Sequence, residues 1–137
     1  MRWQDELQEL LDRDNEFLID PAITSTEWML EKLNVRNERI KASEIGGVEG
    51  EASKLIASIC RALGATSYLT GTGALAYLDE GDFTEIGCEV MVQQWTPFSD
   101  SDLSTLDLLL NSPDQAVELI SAAGDWDLLT QSRKDAK

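Results

Sequence analysis

The residues best suited to chemistry are few. Thr70-Gly71-Thr72-Gly73 directly follows a stretch, 66–70, whose residues read as a β-strand. Glycines at such a place let backbone N–H groups approach an anion, and open α/β sheets bind ligands just beyond the carboxyl ends of their strands. The match to phosphate motifs is partial: Ala76 stands where a Gly-x-Gly-x-x-Gly would place its third glycine, and no lysine follows as in a P-loop. A plain connecting turn is the competing reading. Ser43 and Glu44 are expected at the end of an earlier strand, on the same sheet edge. In a half-buried cleft a glutamate gains proton affinity and can serve as a general base. Ser43 has no histidine to activate it, because the chain contains none; capping a turn is its structural alternative, with Glu44 solvated. Asp79 closes Tyr77-Leu78-Asp79 and either binds a ligand hydroxyl or caps a helix expected to begin at Asp82, with capping favoured. Glu44 and Ser43 are therefore the catalytic candidates, and Thr70, Gly71, Thr72, Gly73 and Asp79 the ligand-binding ones.

Other reactive types offer less. The absence of histidine excludes histidine-dependent triads and the usual zinc sites within this chain. Asp79-Glu80-Gly81-Asp82 lacks the spacing of a calcium loop, and no metal is assigned. No cofactor is specified either. Two cysteines are too few for a disulfide scaffold; Cys60 falls on an apolar helix face and reads as core, whereas Cys88 follows Gly87 at a strand start. Trp3, Trp28, Trp95 and Trp126 are anchors for a core or a contact surface, with the two near the termini the better surface candidates.

These residues need elements to position them. Apolar residues spaced by three, four and seven from Trp3 to Leu18 predict one amphipathic helix over 1–19, interrupted by Asp20-Pro21. Thr24 or Ser25 is then expected to cap a second helix, with Glu27 completing a capping box. A short strand is expected over 38–42, with Ile40 and Ala42 on one side, before a turn rich in glycine at 46, 47 and 50. Leu55, Ile56, Ile59, Cys60 and Leu63 make one face of a helix over 51–63, which Gly64 stops. Strands at 66–70 and 89–95 flank short helical pieces around 74–78 and 83–86. Beyond them, Ser104 with Asp107 opens one helix, and Ser112-Pro113-Asp114-Gln115 starts another that ends at Gly124. The tail 130–137 is polar and expected to fray.

Strands alternating with helices at these lengths predict an α/β fold: a small three-stranded parallel sheet with flanking helices and helical N- and C-terminal extensions. One domain is expected over 1–137, made of a helical arm (1–34), a βαβαβ core (35–96) and C-terminal helices (97–130). A length of 137 residues with 42% hydrophobic content supports a genuine core. No apolar run approaches a membrane span, no apolar signal core opens the chain, and a cytoplasmic location is expected.

Charge narrows the partners. Eleven basic residues against 26 acidic ones give a net charge of −15. From Gly64 to Thr130 no lysine or arginine occurs, so direct nucleic-acid binding and docking on anionic membranes are disfavoured. The stretch from Glu31 to Leu63 is different, since Lys32, Arg36, Arg39, Lys41, Lys54 and Arg61 offset its acids there. An anionic ligand is expected in that stretch.

The run Lys41-Ala-Ser-Glu-Ile45, then Leu55-Ile-Ala-Ser-Ile-Cys-Arg-Ala-Leu-Gly-Ala-Thr-Ser-Tyr-Leu-Thr-Gly71, then Tyr77-Leu-Asp79, resembles the WbqC-like protein family and its "SEL … L..IC..LGA..YLSG..G..YLD" progression. The resemblance continues through Gly87–Trp95 and through Leu103-Ser-Thr-Leu-Asp-Leu-Leu-Leu-Asn111, covering about residues 24–115. It implies a role in polysaccharide, amino-sugar or natural-product biosynthesis. It also implies transfer chemistry, or a ligand-binding half-site completed by a partner, with Ser43, Glu44 and the Thr70–Gly73 loop lining the pocket. The family's histidine-bearing "HQP.YLP..GYF" segment has no counterpart, and acidic Ser-Asp-Ser-Asp at 99–102 replaces its longer loop, so the likeness is to the C-terminal half. The second reading is a non-catalytic acidic module that docks a basic protein surface. A small-molecule ligand and either a protein partner or a homodimer are the expected associations.

Overall fold

The computed structural model describes residues 3–96 and 104–129. The expectations for the acidic loop at 99–102 and for the tail 130–137 lie outside the described residues. The chain forms two compact units, each built from two segments: 1–38 with 97–123, and 39–96 with 124–137.

The second unit is a mixed α/β layer. Helix α3 (Ala52–Ala62) leads through Gly64, at φ +64°, into β1 (Ser67–Gly71). A 3-10 turn (Thr72–Ala76) and α4 (Glu80–Thr84) then precede β2 (Glu89–Trp95). The sheet closes with β3 (Gly124–Leu128), in the order β1-β2-β3. β1 and β2 run parallel, with Ser67 opposite Glu89 and Gly71 opposite Gln93. β2 and β3 run antiparallel, with Met91 opposite Leu128 and Trp95 opposite Gly124.

Side chains alternate across such strands with a period of two, so register alone sorts the two faces. Tyr68, Val90 and Val92 join Ala57, Cys60, Ala74, Leu78, Phe83, Cys88 and Leu129 in one core. Phe83 is fully buried and stacks on Tyr68 with ring centroids 5.4 Å apart. Leu69, Met91 and Leu128 share a row on the other face, where Leu69 and Leu128 are exposed.

The expected all-parallel sheet is therefore corrected. The strand expected over 38–42 does not form; the segment is irregular and ends in a 3-10 turn at Ala42–Glu44. Between Arg36 and Lys41 only Ile40 is apolar, and it is itself exposed, so a strand there would bury nothing to offset its ordering. The third strand comes instead from residues 124–128, where the helix stop expected at Gly124 turns out to be a strand start. Two aspartates in five residues masked it, since aspartate is depleted in strands. Among the described residues, a crevice shared by three parallel carboxyl ends is absent, and β1 and β2 alone end on one edge.

The first unit is helical. α1 (Gln4–Leu11) is shorter than the helix expected over 1–19, and α2 (Ile19–Lys32), the expected second helix, begins ahead of Thr24. The break falls at 12–18, which opens with the polar run Asp12–Glu16, rather than at Pro21, which sits in the first turn of α2, where its missing N–H is not needed. Thr24, Ser25 and Thr26 do not cap; their hydroxyls donate back to the carbonyls of Asp20 and Ala22 inside α2. α5 (Thr105–Asn111) starts as expected, with Ser104 Oγ accepting from the Asp107 N–H. α6 (Ala116–Ala122) begins later than Ser112-Pro113 suggested, because 113–115 form a turn. Leu108, Leu109 and Ala116 form the core here, against Trp3, Trp28, Met29 and Leu33. Trp3 meets Trp28 edge-on, Lys32 lies over both rings, and Glu6 accepts from Trp28 Nε1 while pairing with Lys32. Lys32, then Trp28, holds the Glu6 carboxyl below its usual range. Trp3 is thus a packing residue; Trp126 remains largely exposed.

Truncating Phe83 to alanine is expected to cost about 3–5 kcal/mol, whereas Leu69→Ala, on the exposed row, should cost under about 1 kcal/mol. Urea unfolding of the two variants checks the assignment of faces.

Candidate functional site

α3 and α4 are joined by one buried hydroxyl. Ser53, in the first turn of α3, accepts the Asp79 N–H at 2.9 Å and donates to the Asp79 carbonyl at 3.3 Å. Asp79 in turn caps α4, its carboxylate accepting from the Gly81 N–H at 2.9 Å. Of the two roles weighed for Asp79, capping is the one its geometry displays.

Beside this junction lies a cavity of about 490 Å³, within the range that small-molecule sites occupy. Lys54, Ala57, Ser58 and Arg61 line it at helical spacing along α3, and Asp82, Glu85 and Ile86 line it from α4 and its end. The turn before α3 closes one side through Glu49 and Gly50. Gly50 is required there twice over: its φ is +94°, and an added Cβ would stand 3.1 Å from Lys54 Cβ. Ser58, buried at the floor, donates to the Leu55 carbonyl at 2.8 Å and accepts the Glu49 N–H at 3.1 Å, so it ties the turn to the helix.

The charges around this cavity are arranged but hardly paired. Arg61 approaches Glu49 only to 3.9 Å, longer than a hydrogen bond, and both side chains are mostly exposed. The side chains of Lys54, Asp82 and Glu85 make no hydrogen bond or ion pair among the described residues. Sequence reasoning placed an anion-attracting stretch over 31–63 but did not see that α4 would set two carboxylates opposite Lys54 and Arg61. Only the packing of α4 on α3 reveals that.

The expected site residues are placed as follows. Ser43 and Glu44 are exposed on the 3-10 turn, outside the sheet, and Glu44 stands 3.9 Å from Lys41 in solvent. Thr70 is half-buried near the end of β1; Gly71, Thr72 and Gly73 are exposed. An added Cβ at Gly71 or Gly73 would meet nothing within 4 Å, and neither has a positive φ, so the fold itself does not demand glycine at either position. The strand expected to carry Ser43 and Glu44 is absent among the described residues, and a 3-10 turn holds them instead.

Cys60 and Cys88, 28 residues apart in sequence, meet in the core. Burial, and then the neighbouring Cys88, pushes the Cys60 thiol up to about 11. Cys60 is therefore a protonated core residue at neutral pH, as its helix face suggested. A second cavity of about 340 Å³ opens beside Cys88, lined also by Glu80, Thr84, Glu89 and Leu128 and by no cation. Among the described residues no three acidic, cysteine or histidine side chains gather to hold a metal, and no helix is long and apolar enough to cross a membrane.

The profile of the WbqC-like protein family matches residues 2–119. The chain belongs to the WbqC-like protein family. The match runs through α1 and α2 of this WbqC-like chain as well as through the motifs at 41–111 that carry the resemblance in sequence. No match is found among curated proteins or among solved structures.

Replacing Ser53 by alanine removes both of its hydrogen bonds to the Asp79 backbone and is expected to cost about 1–3 kcal/mol. Asp79→Ala should cost about 1 kcal/mol through its lost cap, with Asp79→Asn recovering most of it. Denaturant titration of the three variants measures both effects.

Proposed function

We propose that this WbqC-like chain binds a small anionic metabolite in the cavity between α3 and α4, as a half-site in polysaccharide, amino-sugar or natural-product biosynthesis. The observation that carries the reading is the pair Lys54 and Arg61. They sit seven residues apart on one helix face and line the same cavity, in a molecule whose net charge otherwise repels anions. Two cations beside a concave, partly apolar wall of Ala57 and Ile86 form a seat in which an anion gains more than it would on open surface, because water is partly displaced.

The chain's own share in this reading is binding and orientation. Ser43 has no histidine to activate it, and Glu44 stays in solvent beside Lys41. The groups that complete a transfer reaction are accordingly assigned to a partner surface. Thr70–Gly73 enters as a separate backbone contact, open to an approaching anion because neither glycine is needed for packing. Asp79 enters as the residue that fixes α4 against α3. The second reading, an acidic module docking a basic protein, draws on the stretch from Gly64 to Thr130, which has no lysine or arginine.

A thermal-shift panel of nucleotide sugars, sugar phosphates and amino acids separates the two. The metabolite reading expects stabilisation by at least one anionic member, reduced about tenfold in apparent affinity by Lys54→Ala or Arg61→Ala. Silence across the panel, together with protein association that weakens steeply as salt rises, would favour the acidic-module reading.

A further inference from the structure

The anion seat has an opposite wall, and its charge is negative. Asp82 and Glu85 lie three residues apart, so both face one side of α4, and they line the cavity that Lys54 and Arg61 line from α3. Opposite charges on facing walls of one cavity would ordinarily close on each other. Here Lys54, Asp82 and Glu85 remain unpaired among the described residues, and the Arg61 contact to Glu49 is loose. The Ser53–Asp79 junction explains why they stay apart: it anchors both helices at one end and fixes the gap between their charged faces.

We propose that the cavity takes a small zwitterionic metabolite, a sugar-sized molecule with an anionic group at one end and an ammonium at the other. The anionic group meets Lys54 and Arg61, and the ammonium meets Asp82 and Glu85. A purely anionic ligand would bring its charge near those two carboxylates with nothing to offset them, whereas an ammonium turns that repulsion into charge-assisted hydrogen bonds. A ligand with a single positive charge would meet the same difficulty on the α3 side. The cavity's volume of about 490 Å³ accommodates a sugar ring between the two ends.

This inference rests on the proposed anion seat, and the test separates the two. Titration calorimetry of the full chain at low ionic strength uses three probes: glucosamine 6-phosphate, glucose 6-phosphate and glucosamine. The first is expected to bind about tenfold or more tighter than either of the others, since each of those lacks one charged contact. In the Asp82→Asn, Glu85→Gln double variant the two phosphates should bind alike. In Lys54→Ala, glucosamine 6-phosphate should fall towards the level of glucosamine; these are exposed or half-exposed positions, and circular dichroism confirms that each variant folds. Equal binding of the two phosphates by the unmodified chain would overturn the zwitterion and leave the anion seat standing. Equal binding of glucosamine and its phosphate would overturn both, and so would heats indistinguishable from dilution for all three probes.

Discussion

A single buried hydroxyl sets the geometry on which the site depends. Ser53 satisfies both the N–H and the C=O of Asp79, and the Asp79 carboxylate caps the helix that follows. Ser53 is itself buried, so its hydroxyl finds its partners in the Asp79 backbone rather than in water. The start of α4 is thus fastened to the first turn of α3, and the facing sides of the two helices are set at a fixed distance. Among the described residues, Lys54 and Arg61 form no ion pair with Asp82 or Glu85.

The site is a consequence of charge held apart rather than of any single reactive side chain. No strongly activated nucleophile or base emerges from the described residues: Cys60 is buried as a thiol with its proton affinity raised, and Glu44 is solvated. The proposed reading accordingly gives this chain a binding role, exercised through the charges that line the α3–α4 cavity. Membership of the WbqC-like family rests on a match over residues 2–119, which includes both α3 and α4.

What was legible in the sequence follows physical lines. β1, β2 and α3 were readable as elements because each carries clustered apolar residues and Gly64 supplies a left-handed stop, but the expected face of α3 is corrected: Leu55 and Leu63 are exposed, whereas Ser53, Ala57, Ser58 and Cys60 are buried. β3 was not, because its aspartates speak against a strand and only its pairing with β2 outweighs them. The segment 38–42 misled in the opposite sense: β-compatible residues were present, but without enough apolar surface to earn a place in the sheet. Pro21 looked like a breaker and is a helix starter, since proline is penalised only after the first turn. At the site, the cationic stretch was visible as composition and Asp79 as a cap. The opposing wall was invisible, because Asp82 and Glu85 read as ordinary solvated acids until α4 is placed against α3.

The most direct measurement is amide chemical-shift mapping of the whole chain during titration with glucosamine 6-phosphate. The account predicts that saturable shifts concentrate on the Glu49–Gly50 turn, on Lys54, Ser58 and Arg61, and on Asp82 and Glu85. Shifts that leave α3 and α4 untouched, or that scatter over the acidic surface without saturating, would contradict it.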